Sequence, residues 1–296
     1  MKIVRPLFAV SVALLSEFVF AQYGTPETLR AELVQGGDLV FSSDPKELGT
    51  FTNFSNELFV PERKEGSKLP ALVVFHTCGG ISQHIRYWTE EALKEGYVVL
   101  VPDSMRGLKS DCGSPPQIPN ARFVKDALDA VAHLAVLPYV DAKRISILGF
   151  SKGAFVATWL TSPGVANALR PGTPIVASAI SVYGFCSLGP TRGRPQGAVI
   201  LQPDTNRPLL MLMGGKDNET PPASCLEQLP KLKEAGAPVE WHLYPDATHG
   251  WDSADKDGFS KIAYNNERVT YRYDPAATAD TRKRVFDFLS KFGGSR

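Results

Sequence analysis

The chain has 296 residues, 43% hydrophobic and 21% charged, with 32 Lys and Arg against 31 Asp and Glu. That composition excludes a disordered chain and supplies enough apolar material for one large domain. The near-balanced charge excludes the basic surface of a nucleic-acid or anionic-membrane binder.

The N-terminus is read apart from the rest. Lys2 and Arg5 precede an apolar run over 7–15, and Val19, Phe20 and Ala21 offer small residues where a signal peptidase reads. This resembles a secretory signal peptide over 1–21, cleaved between Ala21 and Gln22. The apolar core is too short to span a bilayer and Glu17 interrupts it, which favours cleavage over anchoring. Without Lys2, Arg5 and Glu17 the remainder carries 30 basic and 30 acidic residues. We therefore expect an exported protein, periplasmic or secreted, with a single domain over 22–296 and no membrane span in it.

Residues 22–40 read as an N-terminal arm. Strands are expected over 38–41 and 49–60, with Pro45 and Gly49 at the turn between them. Residues 69–76 form a nearly continuous apolar run, the mark of a strand buried on both faces. Thr77, Cys78, Gly79 and Gly80 break it. A helix over 87–95 ends at Gly96, and a buried strand follows over 97–101. Residues 103–120 are a long loop rich in Gly, Pro and Ser, a length that usually marks function. A helix over 121–137 follows from Phe123, Ala127, Leu128, Val131 and Leu134 at helical spacing. Ile145, Ile147 and Leu148 read as a short buried strand, and 154–160 as a helix start. Strands are then expected over 175–183, 209–213 and 239–244, a turn-rich linker over 190–202, and helices over 225–235 and 281–292. Strands alternating with helices from residue 70 onward predict a mostly parallel sheet of about eight strands with helices on both faces.

Gly149, Ser151 and Gly153 spell G-x-S-x-G between a strand and a helix. That context is the nucleophile elbow of an α/β-hydrolase fold, where one sharp turn carries the serine. Side chains at Gly149 or Gly153 would collide with the neighbouring strand or helix. In such sheets ligands bind at the carboxyl ends of strands. Asp217 follows the strand over 209–213 and His249 follows the strand over 239–244. The order Ser, Asp, His is that of α/β-hydrolases. A hydroxyl becomes nucleophilic when a base takes its proton, and an imidazole changes charge near neutral pH. Ser151 is thus the expected nucleophile, His249 the base and Asp217 the group that orients it. Glu219 is a weaker rival for the acid. The backbone N–H groups of Lys152 and Cys78 are the expected oxyanion donors. His76 is expected to shape that turn, and His84, His133 and His242 to be packing or surface residues.

His76-Thr-Cys-Gly-Gly, Gly149-Phe-Ser-Lys-Gly, Gly214-Gly-Lys-Asp and Tyr244-Pro-Asp-Ala-Thr-His-Gly-Trp together resemble the dienelactone hydrolase family, over roughly 55–292. The 273–282 segment also resembles that family's final helix. The founding enzymes of the family carry a cysteine at the elbow, so Ser151 resembles an esterase-like branch instead. Lys152 also departs from relatives with His, Gln or a small residue there. An insertion over 252–269 separates His249 from the last helix.

Four cysteines lie beyond the signal peptide, and an even count in an exported chain favours disulfides. The strands ending at 76 and 101 should be neighbours, as should those ending at 183 and 213. Cys78 with Cys112 and Cys186 with Cys225 are then the pairings within reach. No metal or cofactor is implied. Phe150, Tyr183, Phe185 and Trp251 are candidates for an aromatic pocket wall, and the loops over 103–120, 184–208 and 250–270 for its lining. The chain thus reads as a serine hydrolase acting on a small carboxylic ester, in an oligomeric state the residues do not indicate. A non-catalytic binding protein on the same fold and a small prolyl-type peptidase are the alternatives.

Overall fold

Two strands at the centre of the sheet, β2 (Leu69–Phe75) and β4 (Val140–Phe150), set the frame. The computed structural model describes residues 23–33, 38–50, 57–105, 108, 110, 112, 117–189, 197–263 and 266–293. The expected signal peptide lies outside them, as do 51–56 and 190–196, parts of an expected strand and linker. In chain order the elements begin with α1 (Pro26–Glu32), β1 (Glu57–Phe59), β2, α2 (Gln83–Lys94), β3 (Val98–Val101), α3 (Asn120–Val136) and β4. Next come α4 (Lys152–Trp159), α5 (Pro163–Leu169), β5 (Ala179–Val182), and the short β6 (Ser187–Leu188) and β7 (Ala198–Val199). The chain ends with β8 (Leu209–Gly214), α6 (Ala223–Glu234), β9 (Val239–Tyr244), the hairpin β10 (Ser260–Ile262) and β11 (Arg268–Thr270), and α7 (Pro275–Gly293).

The main sheet has the order β1-β3-β2-β4-β5-β8-β9. Only the edge strand β1 runs antiparallel to its neighbour. Alternation along β2 sends its side chains into two cores. Ala71, Val73 and Phe75 join a cluster with residues of α3, α4, α5 and α6, while Leu72 and Val74 join one with α2 and α7. Helices therefore cover both faces, as a mostly parallel sheet requires. The described residues give this sheet seven strands, where about eight are expected. Residues 38–41 are irregular rather than a strand, because the Leu39 N–H is spent on the Asp129 carboxylate at 2.9 Å and not on a ladder. Of the strand expected over 49–60, the described part is Glu57–Phe59. Of that expected over 175–183, the strand spans Ala179–Val182. Helix α2 begins four residues earlier than expected, after Ser82 in extended backbone at its N-cap.

Both expected disulfides are formed. Cys78 bonds Cys112 and Cys186 bonds Cys225, each with a Cα–Cα distance of 4.9 Å. The reason is the one the strand order implies: β2 lies beside β3, and β5 beside β8.

Candidate active site

At the carboxyl ends of four adjacent parallel strands, β4, β5, β8 and β9 deliver Ser151, Tyr183, Asp217 and His249 in turn. Ser151 sits on the elbow at φ 53° and ψ −112°, a left-handed backbone that costs energy outside glycine. A Cβ at Gly149 would lie 2.0 Å from the Gly153 carbonyl oxygen, and one at Gly153 would lie 2.4 Å from that of Phe75. The two glycines thus let α4 start against β2 and β4 while Ser151 stays at the crest.

The Ser151 hydroxyl lies 3.0 Å from His249 Nε2, and His249 Nδ1 lies 2.8 Å from Asp217 Oδ2. These partners put the imidazole proton on Nδ1, donating to the carboxylate, and leave Nε2 to accept from Ser151. Asp217 Oδ1 accepts the N–H groups of Glu219 at 2.9 Å and Thr220 at 2.8 Å. Asp217 therefore caps the following turn and holds the histidine at once. The Thr220 hydroxyl lies 2.7 Å from Asp217 Oδ2 and 2.9 Å from the Tyr183 carbonyl oxygen. Burial alone would push the His249 imidazole down, but the charge and hydrogen bond of Asp217 hold it above its ordinary range. Burial would raise the Asp217 carboxyl, and His249 and Thr220 hold it below its ordinary value.

Of the expected oxyanion donors, Lys152 is the first residue of α4, and its ammonium lies 3.8 Å from the centre of the Phe123 ring. Cys78 lies in the turn after β2. His76 is buried and kept neutral, as burial pushes its imidazole down. Its Nδ1 donates to the Thr77 carbonyl at 2.7 Å, and its Nε2 accepts the Ser104 N–H at 3.2 Å. It thus clamps the turn against the loop after β3.

The four aromatic residues are all buried. Phe150 packs on Trp88 and His84, Phe185 on Phe155, and Trp251 on Tyr183 and Tyr244. Phe150 and Trp251 keep no exposed surface, so they form a layer beneath the site rather than an open wall. Tyr183, at φ 44°, packs its ring 4.8 Å from that of His249.

Sequence reasoning missed two networks here. His84 Nε2 lies 2.9 Å from Asp252 Oδ2, which also accepts the Trp88 indole N–H at 2.9 Å, and the Tyr183 hydroxyl lies 3.3 Å from the same His84 nitrogen. Burial would raise the Asp252 carboxyl, and His84, Trp88 and Tyr183 hold it low. The second network comes from the 252–269 insertion and the residues just after it. Lys261 Nζ donates to Glu219 Oε1 at 2.7 Å, and the Tyr271 hydroxyl to Glu219 Oε2 at 2.9 Å. The Tyr271 ring lies 5.3 Å from His249. The insertion is thus tied to the turn that carries Glu219, and Tyr271 just after it packs against the histidine. No group of three or more His, Cys, Asp or Glu among the described residues is placed to hold a metal ion. No helix among them is long and apolar enough to cross a membrane.

A mostly parallel sheet with helices on both faces and a serine on the elbow after a central strand is the architecture of the α/β-hydrolases. Within that class the chain belongs to the dienelactone hydrolase family, whose model matches residues 57–293, and it is a hydrolase of that family. A Salmonella typhimurium protein named "Putative carboxymethylenebutenolidase" is 26% identical, the match covering 80% of this chain and 82% of that one. Among solved structures, esterase 2 of Thermogutta terrifontis, phosphonylated by sarin, superposes with a TM-score of 0.60 at 19% identity. It covers 80% of this chain and 90% of the other. The α/β hydrolase MGS-M1 from a deep-sea metagenome gives 0.58 at 19% identity, covering 83% and 96%.

Proposed function

We propose that this hydrolase cleaves carboxylic esters through an acyl-enzyme on Ser151. The observation that carries this reading is the unbroken relay Ser151–His249–Asp217 on a strained elbow. Ser151 Oγ attacks the ester carbonyl as its proton passes to His249 Nε2, and Asp217 stabilises the imidazolium that forms. The developing oxyanion is met by the backbone N–H groups of Lys152 and Cys78, where each donor contributes about 10²–10³ in rate. His249 then hands its proton to the departing alcohol. Water releases the acid in a second pass, with the same histidine as base. The two disulfides and the 1–21 pattern support a periplasmic or secreted setting.

The relative phosphonylated by sarin suggests the probe. A fluorophosphonate should label the native protein at Ser151, and nitrophenyl butyrate should be turned over. Ser151→Ala should lose both while keeping its circular dichroism spectrum. Labelling or turnover that survives Ser151→Ala would overturn the nucleophile assignment.

A further inference from the structure

We propose that Glu219 orients the water that hydrolyses the acyl-enzyme, an inference that rests on the esterase reading above. Glu219 Oε2 lies 4.0 Å from His249 Nε2. That is the nitrogen that faces Ser151, at 3.0 Å, not the one that faces Asp217. The second carboxylate is therefore on the reacting side of the imidazole, where it cannot substitute for Asp217. A separation of 4.0 Å is too long for a direct hydrogen bond, but it fits one bridging water with two bonds of about 2.8 Å each.

The carboxylate is built to stay there. Its residue is 6% exposed, its own N–H is tied to Asp217 Oδ1, and Lys261 and Tyr271 each hold one oxygen. Tyr271 uses one lone pair of Oε2 and leaves another to accept from water. A tether for the hairpin would explain Lys261 and Tyr271. It would not require Oε2 to lie beside the proton-transferring nitrogen.

In the step proposed, the water oxygen bonds to the acyl carbon while one of its protons moves to His249 Nε2. The carbonyl electron pair moves onto the carbonyl oxygen. On collapse the bond from carbon to Ser151 Oγ breaks, and His249 returns the proton to Oγ. Glu219 accepts the water's other O–H throughout and takes no proton from it. The attacking lone pair is thereby aimed at the carbon. Acylation uses no water and should not need Glu219.

The test is Glu219→Gln with nitrophenyl butyrate. Loss of one charge-assisted hydrogen bond should slow deacylation by about ten- to a hundredfold. Because acylation is spared, kcat and KM should fall together, with kcat/KM kept within about threefold. Stopped flow should show a burst of one nitrophenol per site, and intact mass should show a butyryl adduct accumulating on Ser151. A fall in kcat/KM equal to that in kcat, with KM unchanged and no adduct, would overturn the proposal, as would wild-type turnover. If Glu219→Gln melts below the assay temperature, Tyr271→Phe should give the same signature at about a few-fold, and an unchanged kcat there overturns it. Failure of the esterase reading looks different: no adduct in any variant and full turnover in Ser151→Ala.

Discussion

The molecule contains two buried histidine–aspartate pairs of nearly equal length, His249–Asp217 at 2.8 Å and His84–Asp252 at 2.9 Å. Tyr183 touches both, with its ring against His249 and its hydroxyl on His84. What separates the pairs is the far side of each ring. His249 presents Nε2 to the Ser151 hydroxyl. His84 Nδ1 is buried with no hydrogen-bond partner among the described residues. The aspartates differ too. Both oxygens of Asp217 are engaged, while one oxygen of Asp252 takes His84 and Trp88 and the other has no partner there. Asp252 follows His249 by three residues and pins the histidine loop to α2. A His–Asp pair is thus not a function in itself. The group opposite the aspartate tells the two pairs apart: the Ser151 hydroxyl for His249, and no hydrogen-bond partner among the described residues for His84.

The largest contrast should come from the histidines. His249→Ala should lower kcat by on the order of 10⁴-fold or more, while His84→Ala should stay within about tenfold of wild type in steady-state turnover. Equal losses would break the distinction. The aspartates should separate next. Asp217→Asn should cost about 10³–10⁴ in kcat through the wrong imidazole tautomer. Asp252→Ala strands a buried histidine and an indole N–H, so it should cost about 3–5 kcal/mol in urea unfolding and much less in rate. A stable Asp252→Ala with Asp217-like kinetics would reverse the two roles.

Smaller effects follow from pH. In the proposed mechanism the base is neutral His249, whose imidazole is held above its ordinary 6.5. The acid limb of kcat/KM should therefore lie above 6.5, and it should move to lower pH in Asp217→Asn, where burial remains and the charge is gone. In stability the signs are opposite. A raised histidine contributes below its unfolded pKa and loses that contribution as pH rises through the folded one. Lowered Asp217 and Asp252 carboxyls contribute above their unfolded values and lose it as pH falls through the folded ones. Urea midpoints should drop from neutral pH into the acid range, and Asp252→Asn should flatten that drop.

Much of the fold, and the meeting of Ser151, His249 and Asp217, was legible because the signals are local. Apolar runs of four to seven residues ended in Gly-rich turns, and Ser151, Asp217 and His249 each stand within a few residues of a strand end. The disulfides were legible at one remove, through strand order. The His84–Asp252 bond joins residues 168 apart, and Lys261–Glu219 residues 42 apart, with no spacing rule to announce either. His84 looked like a helix-packing residue because its partner belongs to an insertion with no family pattern. The 38–41 segment looked like a strand because its three apolar residues run up to a turn marked by Pro45 and Gly49. A side-chain acceptor on α3 claimed its backbone instead.

The Cys78–Cys112 bond closes a covalent ring that takes in α2 and β3, with the turn after β2 at its seam. Closing a ring of this size is worth about 4 kcal/mol in the chain-entropy model. Production of this enzyme is thereby tied to its host: a reducing cytosol would yield polypeptide with an unstitched turn, while an oxidising compartment would yield the finished catalyst.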